Sequence, residues 1–143
     1  MFTDDTFAIG RTGKEPALFF IEVDRDTEPN ERHGYRTVEG GGDDFDALDV
    51  SEAESFGRKF DGYFSYARAE RQREQFGTKN FRVLTITTGG EKKVLNLAGA
   101  IQVATHGIEA RRYLTTNFAA LAAADPFAAP WLDASGSLVS LTL

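Results

Sequence analysis

Along Ala17–Asp24 apolar and polar positions alternate with period two. Phe19, Ile21 and Val23 fall on one face and Phe20, Glu22 and Asp24 on the other, which is the spacing of a strand. A second β-rich run, Asp5–Ile9, lies before it across the turn-forming segment Gly10-Arg11-Thr12-Gly13-Lys14-Glu15-Pro16, so the two predict an antiparallel hairpin. The period then becomes helical. Ser51 and Glu54 have capping-box spacing, Phe56, Phe60, Tyr63, Phe64 and Ala67 share one arc of a helical wheel, and Gly77 stops the helix near Phe76. Phe81–Thr88 predicts a strand, Gly89-Gly90 a turn, and Glu91 to about Thr105 a helix carrying Val94, Leu95, Leu97, Ala98 and Ile101. Tyr113–Thr116 predicts a short strand, Asn117–Ala124 a helical turn or two, and Leu138–Leu143 a terminal strand. This succession gives an α/β class, a mixed central sheet with flanking helices.

At 143 residues the chain makes a single domain, and 41% hydrophobic content with 12 Phe supplies its core. No apolar run is long enough to cross a membrane and no signal peptide is evident, so an intracellular, cytoplasmic protein is expected. The absence of cysteine excludes disulfides and thiolate zinc sites, and His33 and His106 lie in no ligand spacing. The net charge of -6 is local in origin. Residues 39–54 hold seven acids and no base, leaving 16 basic and 15 acidic groups elsewhere. The stretch from about 29 to 50 therefore reads as an acidic, Gly-rich loop, and its charge does not exclude a basic surface elsewhere. Arg68, Arg71, Arg73, Lys79, Arg82, Lys92, Lys93, Arg111 and Arg112 are candidates for a DNA-facing surface, with scattered solvated charges as the alternative.

The chemistry of the chain centres on Glu22 and Asp24. Two carboxylates on one face at the end of a buried strand repel each other and need a cation. A divalent metal held by oxygen ligands is one solution, and an ion-pair network with Arg25 or Lys59 is the other. The Gly40-Gly41-Gly42 run lacks the flanking elements and Lys-Ser/Thr of a phosphate loop and reads as a linker. Thr87-Thr88-Gly89-Gly90 reads as a β-to-α turn.

The string Phe20-Ile21-Glu22-Val23-Asp24-Arg25-Asp26-Thr27-Glu28 resembles the replication-relaxation family of plasmid proteins. The opening Thr3-Asp4-Asp5-Thr6-Phe7-Ala8-Ile9, the Lys59 and Tyr63 helix, the Arg82–Thr87 strand and the segment from Asp125-Pro126 to Trp131 fall where that family has its later landmarks. The likeness departs at Asp4, where the family has Pro, and in a longer connection over residues 29–50.

The resemblance implies a restriction-endonuclease-like PD-(D/E)XK core that lacks its first helix and strand, and a parent protein carrying a winged-helix segment upstream. Within that core Asp5 and Glu22 take the two acidic positions, Asp24 stands where the lysine belongs, and Lys59 is the substitute cation. Asp5, Glu22 and Asp24 are then expected to converge on Mg²⁺ or Mn²⁺ for phosphodiester hydrolysis, with Lys59 stabilising hydroxide. Arg25, Lys59 and Arg68 are expected to contact DNA. The alternatives are a catalytically inactive nuclease-like module that binds DNA or protein, and a small structural domain whose acids are merely paired. An uncovered edge at the first strand predicts a homodimer or a partner protein, unless the strand at Leu138–Leu143 folds back over it.

Overall fold

The computed structural model describes residues 3–25 and 50–142, with side chains from residue 55 onward in the second stretch. The acidic loop, the Ser51/Glu54 capping box, the Gly40 run and His33 lie outside what is described. The hairpin forms with longer strands than the periodicity gives, β1 at Asp5–Arg11 and β2 at Lys14–Asp24. Only Thr12 and Gly13 separate them, because Gly13 adopts φ 70°, which side chains disfavour. Helix α1 follows at Val50–Arg68 and α2 at Arg71–Phe76. The expected single helix is broken at Glu70, whose φ of 53° turns the chain left-handed. Gly77, at φ 69°, closes α2 with its N–H on the Arg73 carbonyl.

Strand β3 spans Phe81–Thr87, α3 Glu91–Ala104, β4 Tyr113–Asn117 and α4 Phe118–Ala123, the last capped by the Asn117 side chain on the Ala120 N–H at 2.9 Å. On α3 the inward positions are Lys93, Leu97, Ala98, Ile101 and Ala104, whereas Leu95 is exposed. Leu95 is exposed because the helix packs along the 93–97–101–104 line, and Leu95 lies about half a turn from it. A strand that the sequence does not suggest, β5 at Trp131–Asp133, is followed by β6 at Leu138–Val139.

The six strands lie in the order β1-β2-β3-β4-β5-β6. β2, β3 and β4 are parallel, and the outer pairings on both sides are antiparallel, so the sheet is mixed. β6 pairs with β5 at the edge opposite β1, which contradicts the expectation that the C-terminal strand folds back over the hairpin. Parallel neighbours need crossovers, and both crossovers put their helices on one face of the sheet. There Phe60, Tyr63 and Tyr66 of α1 and Ile101 of α3 enclose Leu18, Phe20, Phe81, Val83 and Tyr113. On the other face Phe19, Leu84, Leu114 and Trp131 pack beneath Leu141, with Leu121 of α4 beside them. The sheet therefore has a helical layer on one side and the C-terminal segment on the other. Its two open ends are the ends of the parallel strands.

Candidate functional site

Parallel strands expose their side chains in rows, and the β2–β3–β4 register defines two rows near the carboxyl end on the helical face. Glu22, Thr85 and Thr115 form one, and Asp24, Thr87 and Asn117 the next. Strand alternation thus delivers Glu22 and Asp24 to one face as the sequence predicts. Glu22 is 2% exposed, which is unusual for a carboxylate. Its partners come from one face of α1, where residues four apart stand above each other. Lys59 Nζ donates to Glu22 Oε2 at 2.5 Å, and the Tyr63 hydroxyl donates to Oε1. Burial pushes the Glu22 carboxyl above its ordinary value of 4.5, against the opposing pull of Lys59 and Tyr63. Burial, with the carboxylate as acceptor, also pushes the Tyr63 phenol up.

Asp24 is half-buried and accepts from Thr87 Oγ1 at 2.7 Å. Asp5 does not join them. It pairs with Ile21, and residues paired across antiparallel strands share a face, so Asp5 lies on the side of the sheet opposite Glu22, exposed, its carboxylate accepting its neighbour Thr6 N–H at 2.8 Å. The expected convergence of Asp5, Glu22 and Asp24 therefore does not occur. Continuing the same register sets Asp4 across from Glu22 instead. Its charge adds to the upward push on that carboxyl, and its Oδ2 accepts the Val23 N–H at 2.7 Å. A one-residue error of register exchanges the two faces.

Sequence reasoning missed the buried threonines. Thr85 and Thr115, in the same row as Glu22, are 0% and 1% exposed, and their hydroxyls have no hydrogen-bond partner among the described residues. Buried hydroxyls of this kind each cost about 1–3 kcal/mol, so a polar row here is not a packing economy. Lys93, also fully buried, enters this helical face from α3. Threonine is a common strand residue, and a lone strand gives no sign of which threonines become neighbours.

The surroundings of Glu22 offer few ligands for a divalent ion. Both Glu22 oxygens are engaged, Asp5 is on the wrong face, and among the described residues no three His, Cys, Asp or Glu side chains gather within reach of one ion. Solvent reaches Lys59 through an open groove of about 920 Å³ between β1 and α1, and its side chain is 40% exposed.

The residues expected at DNA separate. Arg25 is exposed just beyond Asp24, at the same end of the sheet as Lys59. Arg68 is at the other end of α1, its guanidinium 5.6 Å from the centre of the Phe64 ring. There, at the amino ends of β2, β3 and β4, lie two adjoining concavities of about 660 and 510 Å³ that share Asn80, Glu109 and Arg112. Arg11, Arg82, Arg111 and Arg112 line the first. Arg112 spans both, its guanidinium 4.4 Å from the centre of the Phe81 ring and paired with Glu109 at 2.5 Å.

No family model matches the chain, no curated protein matches it, and no solved structure matches it. Among the described residues no helix is long and apolar enough to cross a membrane.

Proposed function

We propose that the chain is a DNA-associated module of the replication-relaxation type, with a nuclease-like sheet whose carboxylate centre serves structure instead of cutting. One observation carries this reading. The carboxylate at the end of the hairpin, where a nuclease of this architecture would hold its metal, is closed by an ion pair to Lys59 and a hydrogen bond from Tyr63. The Glu-x-Asp-Arg string, the hairpin and the strand order support the nuclease-like core, and the string supports the association with DNA. The test is calorimetric titration with Mn²⁺ together with incubation of supercoiled plasmid. The expected result is DNA binding without heat of metal binding and without nicking.

A second reading, Mg²⁺-dependent phosphodiester hydrolysis, is favoured by the position of Asp4 across from Glu22, with Asp24 two residues further on. It requires that wild type nick plasmid with metal and that Glu22→Ala and Asp4→Ala each abolish the activity while Asp5→Ala keeps it. Nicking that survives Glu22→Ala would leave the first reading in place.

A further inference from the structure

The two concavities at the amino ends of the parallel strands adjoin across Asn80, Glu109 and Arg112, which belong to both walls, and are together termed the basic trough. To the four arginines of the first concavity the second adds Arg68, Arg73 and Lys79. Seven of the chain's 16 basic residues thus line the two adjoining concavities, against three acids, Glu70, Glu109 and Asp133. Two of those acids are already engaged. Glu109 holds Arg112, while one Asp133 oxygen accepts the Ser135 and Ser137 N–H groups and the Ser135 hydroxyl at 2.6–3.0 Å.

Two of the arginines, Arg11 and Arg82, are oriented by neutral carbonyls and not by acids. Arg11 donates Nε and Nη2 to the Glu15 carbonyl at 2.9 and 2.6 Å, and Arg82 donates Nη1 to the Thr142 carbonyl. A carbonyl fixes the orientation of a guanidinium but carries no formal charge. Arg82 is half-buried, and burial with Arg11 nearby disfavours its charged form. A bound anion would relieve that repulsion. The preference for arginine over lysine matters, since its planar fork matches the two oxygens of a phosphate.

We propose that this trough binds the phosphodiester backbone of a nucleic acid, at the end of the sheet opposite the Glu22 cluster. The inference rests on the reading of the chain as DNA-associated and assigns that association a surface. Leu18 and Asp24 are six residues apart on β2, so about 20 Å separates the two ends, and contact with one does not require contact with the other. The exposed groups Arg73, Lys79 and Arg111 supply backbone contacts, while Arg82 and Arg112 sit deeper in the walls.

The test is fluorescence anisotropy of labelled single- and double-stranded DNA and RNA oligonucleotides, measured from about 50 to 200 mM salt. The double substitution Arg73→Gln with Arg111→Gln alters exposed side chains only and is checked for folding by circular dichroism. It is expected to weaken binding about tenfold or more and to reduce the salt slope by about two. Arg58→Gln removes the same charge at the Lys59 groove and is expected to leave both quantities unchanged. Wild-type binding that the double variant retains, or that Arg58→Gln weakens instead, overturns the trough and leaves the DNA-associated reading standing. Failure of wild type to bind any oligonucleotide at the lowest salt overturns both.

Discussion

The two ends of the parallel sheet handle charge in opposite ways. At the carboxyl end Glu22 is buried and its charge is met internally by Lys59 and Tyr63. At the amino end a set of arginines lines an open trough, with the Arg11 and Arg82 guanidinium groups oriented by neutral carbonyls and Arg112 paired with Glu109. A buried charge without a partner is strongly unfavourable, whereas like charges around a solvated depression repel only weakly. The first end is therefore committed to holding the fold, and the second is left available to a ligand of opposite charge.

The largest effect that sharpens this contrast is expected from Glu22→Ala. It leaves the Tyr63 hydroxyl buried without its acceptor and opens a cavity under α1, a loss of about 2–4 kcal/mol by urea unfolding. A loss below about 1 kcal/mol would show that the cluster is wet, and the contrast would fail. Lys59→Met leaves the buried Glu22 charge without its cation and should cost at least as much as Tyr63→Phe at neutral pH, with the 40% exposure of the lysine side chain keeping the loss below that of Glu22→Ala. Tyr63→Phe removes one donor and keeps the ring, so about 1–2 kcal/mol is expected.

The pH dependence is a graded version of the same effect. The Glu22 carboxyl is raised above 4.5 in the folded chain, so between 4.5 and its folded value the native state holds more proton than the unfolded state. Stability from this group is complete below 4.5 and is lost as pH rises through the raised value. Glu22→Gln, which keeps an acceptor for Tyr63 and carries no charge to desolvate, should remove that slope. Glu15 and Asp133 are lowered, mainly through hydrogen bonds to their carboxylates, and work in the opposite direction, their stability being lost as pH falls. The Glu22 contribution is therefore read as the difference between wild type and Glu22→Gln across a pH series. Equal slopes would dismiss it.

The smallest effect belongs to the other end. Arg111→Gln should change stability by no more than about 0.5 kcal/mol, and any gain at low salt should vanish at high salt. A loss of several kcal/mol would mean that the trough is a structural wall.

Periodicity located both elements that make the carboxyl end, because Phe20, Glu22 and Asp24 alternate on β2 and Phe60 and Tyr63 repeat on α1. It could not place Asp4 against Asp5. Both acids precede an apolar run, and only the pairing of Asp5 with Ile21 shows which one shares the face of Glu22. The break at Glu70 was equally hidden, since a non-glycine residue at φ 53° leaves no compositional trace. β5 is three residues long, too short for any alternation to emerge. The basic surface was legible in part: six of its seven bases stand among the candidates that the sequence offers for a DNA-facing surface, but Arg11 does not, and the candidate Lys93 is fully buried. The arginines of the trough run from Arg11 to Arg112 in the sequence and meet only because three parallel strands begin at the same end.

The unequal pairings of β2 also set an order of assembly. Its partner β1 lies across a two-residue turn, while its partner β3 begins at Phe81, beyond α1 and α2. Closing the short loop takes on the order of microseconds, whereas the distant pairing must await the collapse of both helices onto the sheet. The hairpin is then expected to be the nucleus onto which the rest condenses. Substitutions in the Thr12-Gly13 turn should slow refolding, and those at the β3–β4 contact should chiefly hasten unfolding. A chain arrested between these steps would present the second edge of β2 unpaired, so aggregation during refolding should fall when the β3 crossover docks faster.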